Sequence, residues 1–362
     1  MRRGTRLRLL AGLACCGLLL GLAPLTQAVS KPRFTPFRVH GEPMRAVTLT
    51  DIRQFAALSV PDLERLRSDG FNTVSIYAYR FVSDVYDSSV ESGVFTETDA
   101  SIGAAIDAAH AVGLAVQLVP VVWVGNGTSG FVWRGYIRPS DPDAFFDSYR
   151  YMLNHYADLA QQHGVELFGI GSEMTLLEYQ GQQWIRTAAE VRQHYSGPLT
   201  YFTVQSRVEK IRWWSAVDYP GISPYYSLSA AARPSYDEVV GAWRSVHLPA
   251  LRKASAYVGK PLLVSEIGYA STPGAATHPE SAPAGVPDES LQADLYRAFL
   301  STVLPDRSVD GVSFYRWSAY EAGPANGGFS PKGKSAECVL AKAWAPTGTS
   351  ALSCGSFGRV IS

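Results

Sequence analysis

Short apolar runs rich in β-forming residues alternate with longer amphipathic stretches along most of this 362-residue chain. The pattern gives eight strand candidates: Ala46–Thr50, Thr73–Tyr79, Ala115–Val124, Leu167–Ser172, Leu199–Val204, Gly221–Tyr225, Leu262–Ser265 and Gly311–Trp317. Helix-like segments lie between them: Pro61–Ser68, Asp99–Val112, Pro142–His163, Gln182–His194, Tyr236–Tyr257 and Ser290–Val303. Eight such alternations are typical of a closed parallel barrel, so we predict an α/β fold with a single (β/α)₈ (TIM) barrel.

A doubly wound open sheet is the alternative fold for alternating strands and helices. Dinucleotide-binding sheets of that class carry a glycine-rich GxGxxG turn after the first strand, and no such turn follows Ala46–Thr50. In a barrel, functional groups lie at the carboxyl ends of the strands and in the loops that follow them. Long loops are predicted at Arg80–Glu97, Gly125–Asp141 and Thr272–Glu289. The last is rich in Pro, Ala and Gly, and is either a substrate lid or a variable surface loop.

Residues 1–28 have the pattern of a signal peptide. Four arginines precede the apolar run Leu9–Leu22, and Thr26-Gln27-Ala28 ends in a small residue at the expected cleavage point. Cleavage after Ala28 leaves a single barrel domain of 334 residues, 29–362, and predicts secretion or export to the periplasm. The alternatives are a membrane anchor, for which roughly 20 apolar residues are needed, and a lipid anchor at Cys15 or Cys16.

Charge and cysteine content narrow the classes of partner and cofactor. Loss of the four leader arginines takes the formal charge from 0 to −4, so no basic surface predicts binding to nucleic acid. Cys338 and Cys354 remain, and in an oxidising compartment we expect a disulfide worth about 3 kcal/mol; two free thiols are the alternative. No zinc-ligand spacing is present, so we predict no metal or cofactor. No later apolar run is long enough to span a membrane. We expect a monomer.

Two buried strand candidates are each followed by a glutamate. Glu173 follows the fourth strand in FGIGSEM, and Glu266 follows the seventh in LLVSEIGY. A carboxylate is costly to bury unless it is paired or takes part in chemistry. In a barrel the two could approach to about 5–5.5 Å, the spacing of glycosidases that retain anomeric configuration. Taken singly, each glutamate fits a salt bridge at the barrel rim better than a catalytic role, but two at matching positions favour catalysis.

Several segments resemble glycoside hydrolases of clan A, and more closely glycoside hydrolase family 113, known for endo-β-mannanases. The segments are KPLLVSEIGY at 260–269, LFGIGSEM at 167–174, WRGYIRP at 133–139, DYPGISPYY at 218–226 and GFSPKGKSAECVLAKAW at 328–344. The resemblance implies that Glu173 is the acid/base and Glu266 the nucleophile. It also shows a departure, because many clan A enzymes have asparagine before the acid/base where this chain has Ser172. A serine reaches less far toward the sugar 2-hydroxyl, so the preference for mannose is less well supported.

Five further residues are predicted to bind substrate or support the carboxylates. Tyr225 ends the sixth strand candidate, and its phenol is placed to hold Glu266 ionised. Trp317 and Trp133 lie at the barrel mouth, where indoles stack on sugar rings. Arg80, after the second strand, is placed to orient a carboxylate if it turns inward, and Gln205 is a candidate polar contact.

These observations predict an exported retaining glycosidase that acts on a β-linked polysaccharide or oligosaccharide, with β-1,4-mannan as the first hypothesis. Two alternatives stay open. One is a non-catalytic carbohydrate-binding barrel. The other is a transglycosylase that remodels an envelope polysaccharide through the same intermediate.

Overall fold

A computed structural model describes residues 34–50, 60–125 and 132–345. Its strands are β1 (Arg38–Val39), β2 (Glu42–Leu49), β3 (Thr73–Val82), β4 (Ala115–Val124), β5 (Leu167–Ser172), β6 (Leu199–Val204), β7 (Tyr219–Ser223), β8 (Leu262–Ile267) and β9 (Val309–Trp317). Its α-helices are α1 (Val60–Ser68), α2 (Asp99–Ala111), α3 (Pro142–His163), α4 (Gly181–His194), α5 (Tyr236–Ala242), α6 (Leu248–Val258), α7 (Glu289–Thr302) and α8 (Ser335–Trp344).

Strands β2 to β9 form the closed parallel barrel that the sequence predicts. Each strand pairs with the next, and β2 also pairs with β9, which closes the sheet. The two-residue β1 forms only an antiparallel hairpin with β2, so the fourth and seventh barrel strands are β5 and β8. The predicted (β/α)₈ fold is therefore confirmed.

The observed elements differ from the predicted ones in two places. A π-helical stretch, Trp243–His247, separates α5 from α6 where one helix was predicted. Helix α8 was not predicted at all, although its buried residues Ala336, Leu340, Ala341 and Trp344 recur at helical spacing. Its Trp344 ring packs against Phe71 and Phe314, with centroids 5.2 and 5.6 Å away. The helical spacing of these apolar residues is therefore visible in the sequence.

Large aromatic side chains fill the layer between the barrel and its helices. Trp184 of α4 stacks on Trp213 with centroids 5.0 Å apart, and Tyr201 of β6 packs edge-on against Trp213 at 4.8 Å. All three side chains are buried. They lie with the main hydrophobic cluster, so these aromatic residues stabilise the scaffold that positions the strand ends.

Two predictions about processing lie outside the described residues. The chain divides by its contacts into Met1–Thr35 and Pro36–Ser362, and the predicted leader 1–28 precedes every described residue. Cys354 also lies outside, so its pairing with Cys338 stays a prediction. Within the described ranges, no helix combines the length and apolarity that a membrane span requires.

A buried acidic pair lies where α1 meets α8. Arg65 makes a two-pronged ion pair with Glu337, and the fully buried Asp69 lies beside this pair. Burial, and then the negative charge of Glu337, raise the pKa of Asp69 to about 8, although Arg65 acts to lower it. Asp69 is therefore mostly protonated at neutral pH in the folded protein.

We predict that Asp69→Asn makes the free energy of unfolding less dependent on pH. The pKa of Asp69 is raised in the folded state, so unfolding between about pH 4 and 8 releases a proton and stability falls as pH rises through that window. The slope from this group is at most about 1.4 kcal/mol per pH unit, and asparagine removes it. Urea unfolding at pH 5 and pH 8 measures the effect. An unchanged pH dependence in the variant would show that Asp69 is ionised throughout.

Candidate active site

The two glutamates predicted to be catalytic both lie at β-bulges on the same edge of the barrel. Between Gly169 and Ser172, β5 advances three residues while its partner β6 advances two, and Glu173 is the next residue of the chain. Between Val264 and Ile267 of β8, the pairing with β9 shifts in the same way, and Glu266 lies inside that step. A bulge adds one residue to a strand and re-aims the side chains around it. Each glutamate is thereby turned toward the cavity at the carboxyl ends of the strands.

Glu173 is held in an unusual backbone conformation. Its φ of 51° is in the left-handed region, which costs a non-glycine residue of order 1 kcal/mol and is sustained only by surrounding contacts. Its amide donates to the carbonyl of Phe202 at 2.8 Å. The indole Nε1 of Trp133 donates to Oε2 of Glu173 at 3.0 Å, and a guanidinium nitrogen of Arg134 lies 3.1 Å from the same oxygen.

Glu266 receives a hydrogen bond on each of its oxygens. Tyr77 of β3 donates to Oε2 at 2.7 Å, and Tyr225 donates to Oε1 at 3.1 Å. Burial, followed by the charge of Glu266, raises the pKa of both phenols well above their ordinary value. Both tyrosines therefore keep their protons and act as donors at any working pH.

Arg134 links the two carboxylates. The nitrogen that lies 3.1 Å from Oε2 of Glu173 also lies 3.9 Å from Oε2 of Glu266, so the two oxygens are separated by no more than the sum, 7.0 Å. Its Nε donates to the carbonyl of Ser172 at 3.1 Å, which fixes the plane of the guanidinium. Burial acts to lower the pKa of Arg134, but the charges of Glu173 and Glu266 outweigh it and raise that pKa.

The two carboxylates have different surroundings. Burial, and next the negative charge of Glu173, raise the pKa of Glu266 to about 6, against the lowering effects of Arg134, Tyr77 and Tyr225. Within the described part of the chain, both donors to Glu173 converge on Oε2, whereas phenols occupy both oxygens of Glu266. Oε1 of Glu173 is therefore the carboxylate oxygen with room for a further partner.

The carboxylates open into a cavity of about 770 Å³. One wall is aromatic and includes Tyr79, Trp123 and Trp133, with Tyr79 edge-on to Trp123 at 5.3 Å. Flat aromatic faces suit the C–H faces of sugar rings. Such an apolar pocket with a few fixed polar groups is typical of a small-molecule or glycan site.

Another part of the cavity wall comes from the loop 272–289, which was predicted to be either a lid or a variable surface loop. Thr277, His278 and Glu280 of this loop line the cavity. Its backbone is tied to the loop after β7, because Leu228 donates to the carbonyl of Ala276 at 2.7 Å and Gly274 donates to that of Ala232 at 2.8 Å. Ala275 and Ala276 are fully buried. The loop is therefore a packed wall of the cavity in this structure.

Four of the predicted substrate-binding residues lie at or beside the cavity. Trp133, Tyr225 and Gln205 line it, and Gln205 donates to the carbonyl of Tyr225 at 3.2 Å. β7 ends at Ser223, so Tyr225 lies two residues beyond the strand that was predicted to include it. Ser172 is buried against Arg134 and is not among the lining residues. The roles of these residues in substrate binding stay predictions.

Arg80 and Trp317 lie elsewhere. Arg80 stacks its guanidinium over the ring of Tyr156 in α3, 4.8 Å from the centroid, as expected if strand alternation continues past Tyr79. Trp317 has no exposed surface, and Tyr315 takes the place on the cavity wall that was predicted for it. Between Val47 and Leu49, β2 advances two residues while its partner β9 advances three, and a bulge of this kind re-aims the side chains around it.

Sequence reasoning missed the roles of Arg134 and Tyr77. Arg134 occurs in the WRG segment, but its loop position gave no periodicity from which to infer an inward side chain. Tyr77 lies inside the strand candidate Thr73–Tyr79, but its partner Glu266 is 189 residues away in sequence, so no local pattern links the two. The signal that would have found Arg134 is charge balance, since two buried carboxylates need a buried cation.

The chain is similar to one family of known proteins over most of its length. The model of Glycoside Hydrolase Family 113 matches residues 54–334. A family 113 β-mannanase from Alicyclobacillus acidocaldarius is 28% identical over 84% of this chain and 97% of its own, with a TM-score of 0.73. A second solved family 113 β-1,4-mannanase is 25% identical over 84% of this chain and 99% of its own, with a TM-score of 0.73.

More distant similarity reaches other families of the same fold. A GH5_18 protein from Streptomyces cattleya, solved in complex with Manβ1-4GlcNAc, is 15% identical over 83% of this chain and 80% of its own, with a TM-score of 0.56. That likeness concerns the fold alone. A search of curated protein sequences finds no match. The family model spans most of the chain and the barrel carries its two buried glutamates, so this protein belongs to glycoside hydrolase family 113 and is a glycosidase.

Proposed function

We propose that this protein is an exported retaining β-mannanase that hydrolyses β-1,4-linked mannan by double displacement. The observation that carries the proposal is the pair of buried carboxylates, Glu173 and Glu266, which share one guanidinium nitrogen of Arg134. Their environments differ in the way that the two roles require, because one carboxylate is saturated with donors and the other retains a place for a proton.

In the first step, ionised Glu266 attacks the anomeric carbon while Glu173 gives its proton to the leaving glycosidic oxygen. The bond between the carbon and that oxygen breaks, and a glycosyl ester forms on Glu266. Tyr77 and Tyr225 hold the attacking carboxylate in place, and Arg134 orients both carboxylates. In the second step Glu173, now ionised, takes a proton from water, and the water oxygen displaces Glu266.

The separation of the carboxylates is compatible with retention. Retaining glycosidases hold their carboxyl groups about 5–5.5 Å apart, whereas inverting enzymes leave room for a water molecule at about 6.5–9.5 Å. The two Oε2 atoms here are at most 7.0 Å apart, a limit that includes the retaining distance. Mannan as substrate draws support from the solved family 113 structures, which are described as β-mannanases.

We predict that the protein releases reducing ends from β-1,4-mannan and that Glu266→Gln abolishes this activity. Glu173→Gln should lower kcat/KM on mannan by about 10²–10⁴-fold, the usual contribution of a general acid. It should slow the first step far less on an aryl β-mannoside, because a good leaving group needs no proton. Reducing-sugar assays on mannan, glucomannan, xylan and β-glucan measure the first effect. Burst kinetics on the aryl glycoside measure the second.

Glu178→Gln is the matched control. Glu178 is as deeply buried, but it pairs with Arg207 and does not line the cavity. Its loss should change thermal stability and leave kcat/KM of the folded protein near the wild-type value. Wild-type rates in both catalytic variants would contradict the mechanism. Glycan binding without released ends would indicate a carbohydrate-binding barrel, and products longer than the starting oligosaccharide would indicate a transglycosylase.

We predict that Tyr77→Phe shifts the acid limb of the pH profile upward. The hydrogen bond from Tyr77 lowers the pKa of Glu266, which is about 6 in the intact site, so its removal raises that pKa further. Because the nucleophile must be ionised, kcat/KM should then begin to fall at a higher pH than in the wild type. The maximum rate should drop about tenfold or more, as expected for a hydrogen bond to a charged group.

Tyr195→Phe provides the comparison for Tyr77→Phe. Tyr195 is also a buried phenol, but it donates to the carbonyl of Val165 at 2.7 Å and does not line the cavity. Its loss should lower stability and leave the pH profile unchanged. A profile of kcat/KM against pH that is the same in Tyr77→Phe and the wild type would rule out the proposed tuning of Glu266.

A further inference from the structure

Tyr136 is an exposed tyrosine just outside the catalytic cavity. It contacts Trp133, which in turn contacts Glu173. Trp133 lines the cavity and donates its indole N–H to Glu173 at 3.0 Å. The ring of Tyr136 packs edge-on against Trp133, with centroids 5.3 Å apart and planes at 88°. Yet 56% of Tyr136 remains exposed. The aromatic wall of the cavity therefore continues outward onto the surface on the side of Glu173.

The backbone that carries Tyr136 is firmly held. Tyr136 ends a short 3₁₀ turn, Arg134–Tyr136. The amide of Tyr136 donates to the carbonyl of Trp133, and the amide of the next residue donates to the carbonyl of Arg134, each at 3.1 Å. The carbonyl of Gly135 accepts from the hydroxyl of Thr175 at 2.8 Å and from the amide of Leu176 at 3.3 Å. The turn is thus tied to the loop that follows Glu173.

The ring of Tyr136 offers an exposed apolar surface on this fixed turn. Tyrosine presents a large and rigid contact area with little conformational entropy to lose on binding. A fixed aromatic ring that adjoins a wall residue of the cavity is a surface suited to a ligand that extends out of that cavity.

The side of the cavity decides which part of a glycan would reach this surface. The acid/base must lie next to the glycosidic oxygen that leaves, so sugars beyond Glu173 belong to the leaving group. Trp133 and Tyr136 lie on that side. Tyr77 and Tyr225, by contrast, surround the nucleophile Glu266. A chain cut between two internal units would therefore pass from the cavity over Trp133 and onto Tyr136.

We propose that Tyr136 forms a carbohydrate subsite for the leaving-group side of the chain, beyond the sugar next to the scissile bond. Its occupant is a β-linked hexopyranose whose C–H face stacks on the tyrosine ring. The inference rests on the proposed function and adds that affinity grows with the length of the leaving portion. It implies a preference for cleavage inside a chain over removal of single terminal units.

Length-dependent kinetics test this subsite. Tyr136→Ala should lower kcat/KM on mannohexaose about five- to tenfold, mainly through a higher KM, because one stacking contact is lost. It should leave kcat/KM on an aryl β-mannobioside within about twofold, since that leaving group is too short to reach the tyrosine. Tyr136→Phe keeps the ring and should behave as the wild type. An equal loss on both substrates, or no loss on either, overturns the proposal.

Tyr151→Ala is the matched control, because Tyr151 is an 82% exposed tyrosine on α3. It should change neither substrate. A binding measurement keeps this test separate from that of the proposed function. In a Glu266→Gln background, Tyr136→Ala should weaken mannohexaose binding about five- to tenfold and leave mannobiose binding unchanged. Equal mannohexaose affinity with and without Tyr136 overturns the subsite, whereas a wild-type protein that binds but does not hydrolyse mannan overturns the proposed function alone.

Discussion

The site depends on one buried cation. Glu173 and Glu266 are both nearly excluded from water, and two such carboxylates would repel each other and resist ionisation. A single nitrogen of Arg134 lies within 3.9 Å of an oxygen of each, and its charge offsets that repulsion. Arg134 is itself fixed by the carbonyl of Ser172, which directly precedes Glu173. Arg134, Glu173 and Glu266 are therefore positioned by one short network across the barrel mouth.

The network depends on departures from regular strand pairing in the barrel. Bulges in β5 and β8 fall beside the two glutamates, and Glu173 takes a left-handed backbone conformation. These locally unfavourable backbone conformations persist because the surrounding sheet and its aromatic packing hold them in place. The walls of the cavity have different characters: aromatic rings from the β3 and β4 side, and a packed polar loop after β8. A sugar chain in the cavity would therefore meet both flat aromatic rings and the hydrogen-bonding side chains of this loop.

The sequence predicted the scaffold well and the site in part. Strand bounds such as Leu167–Ser172 and Leu199–Val204 match because a buried parallel strand is a continuous apolar run. The two glutamates were found because they end such runs. Trp317 was misplaced because its position at the end of a strand does not tell which way its side chain faces, and the bulge in the pairing of β2 with β9 leaves little trace in composition. Arg134 escaped notice because loop residues have no period, so only the charge balance of the folded site reveals its role.

The central claim is that the two carboxylates act by double displacement, and the stereochemistry of the first product tests it most directly. ¹H NMR of manno-oligosaccharide hydrolysis, recorded before mutarotation, distinguishes the anomers of the new reducing end. Retention predicts that the β-anomer forms first and the α-anomer appears later by mutarotation. An initial α-anomer would mean that water attacks directly, and it would contradict the roles assigned to Glu173 and Glu266.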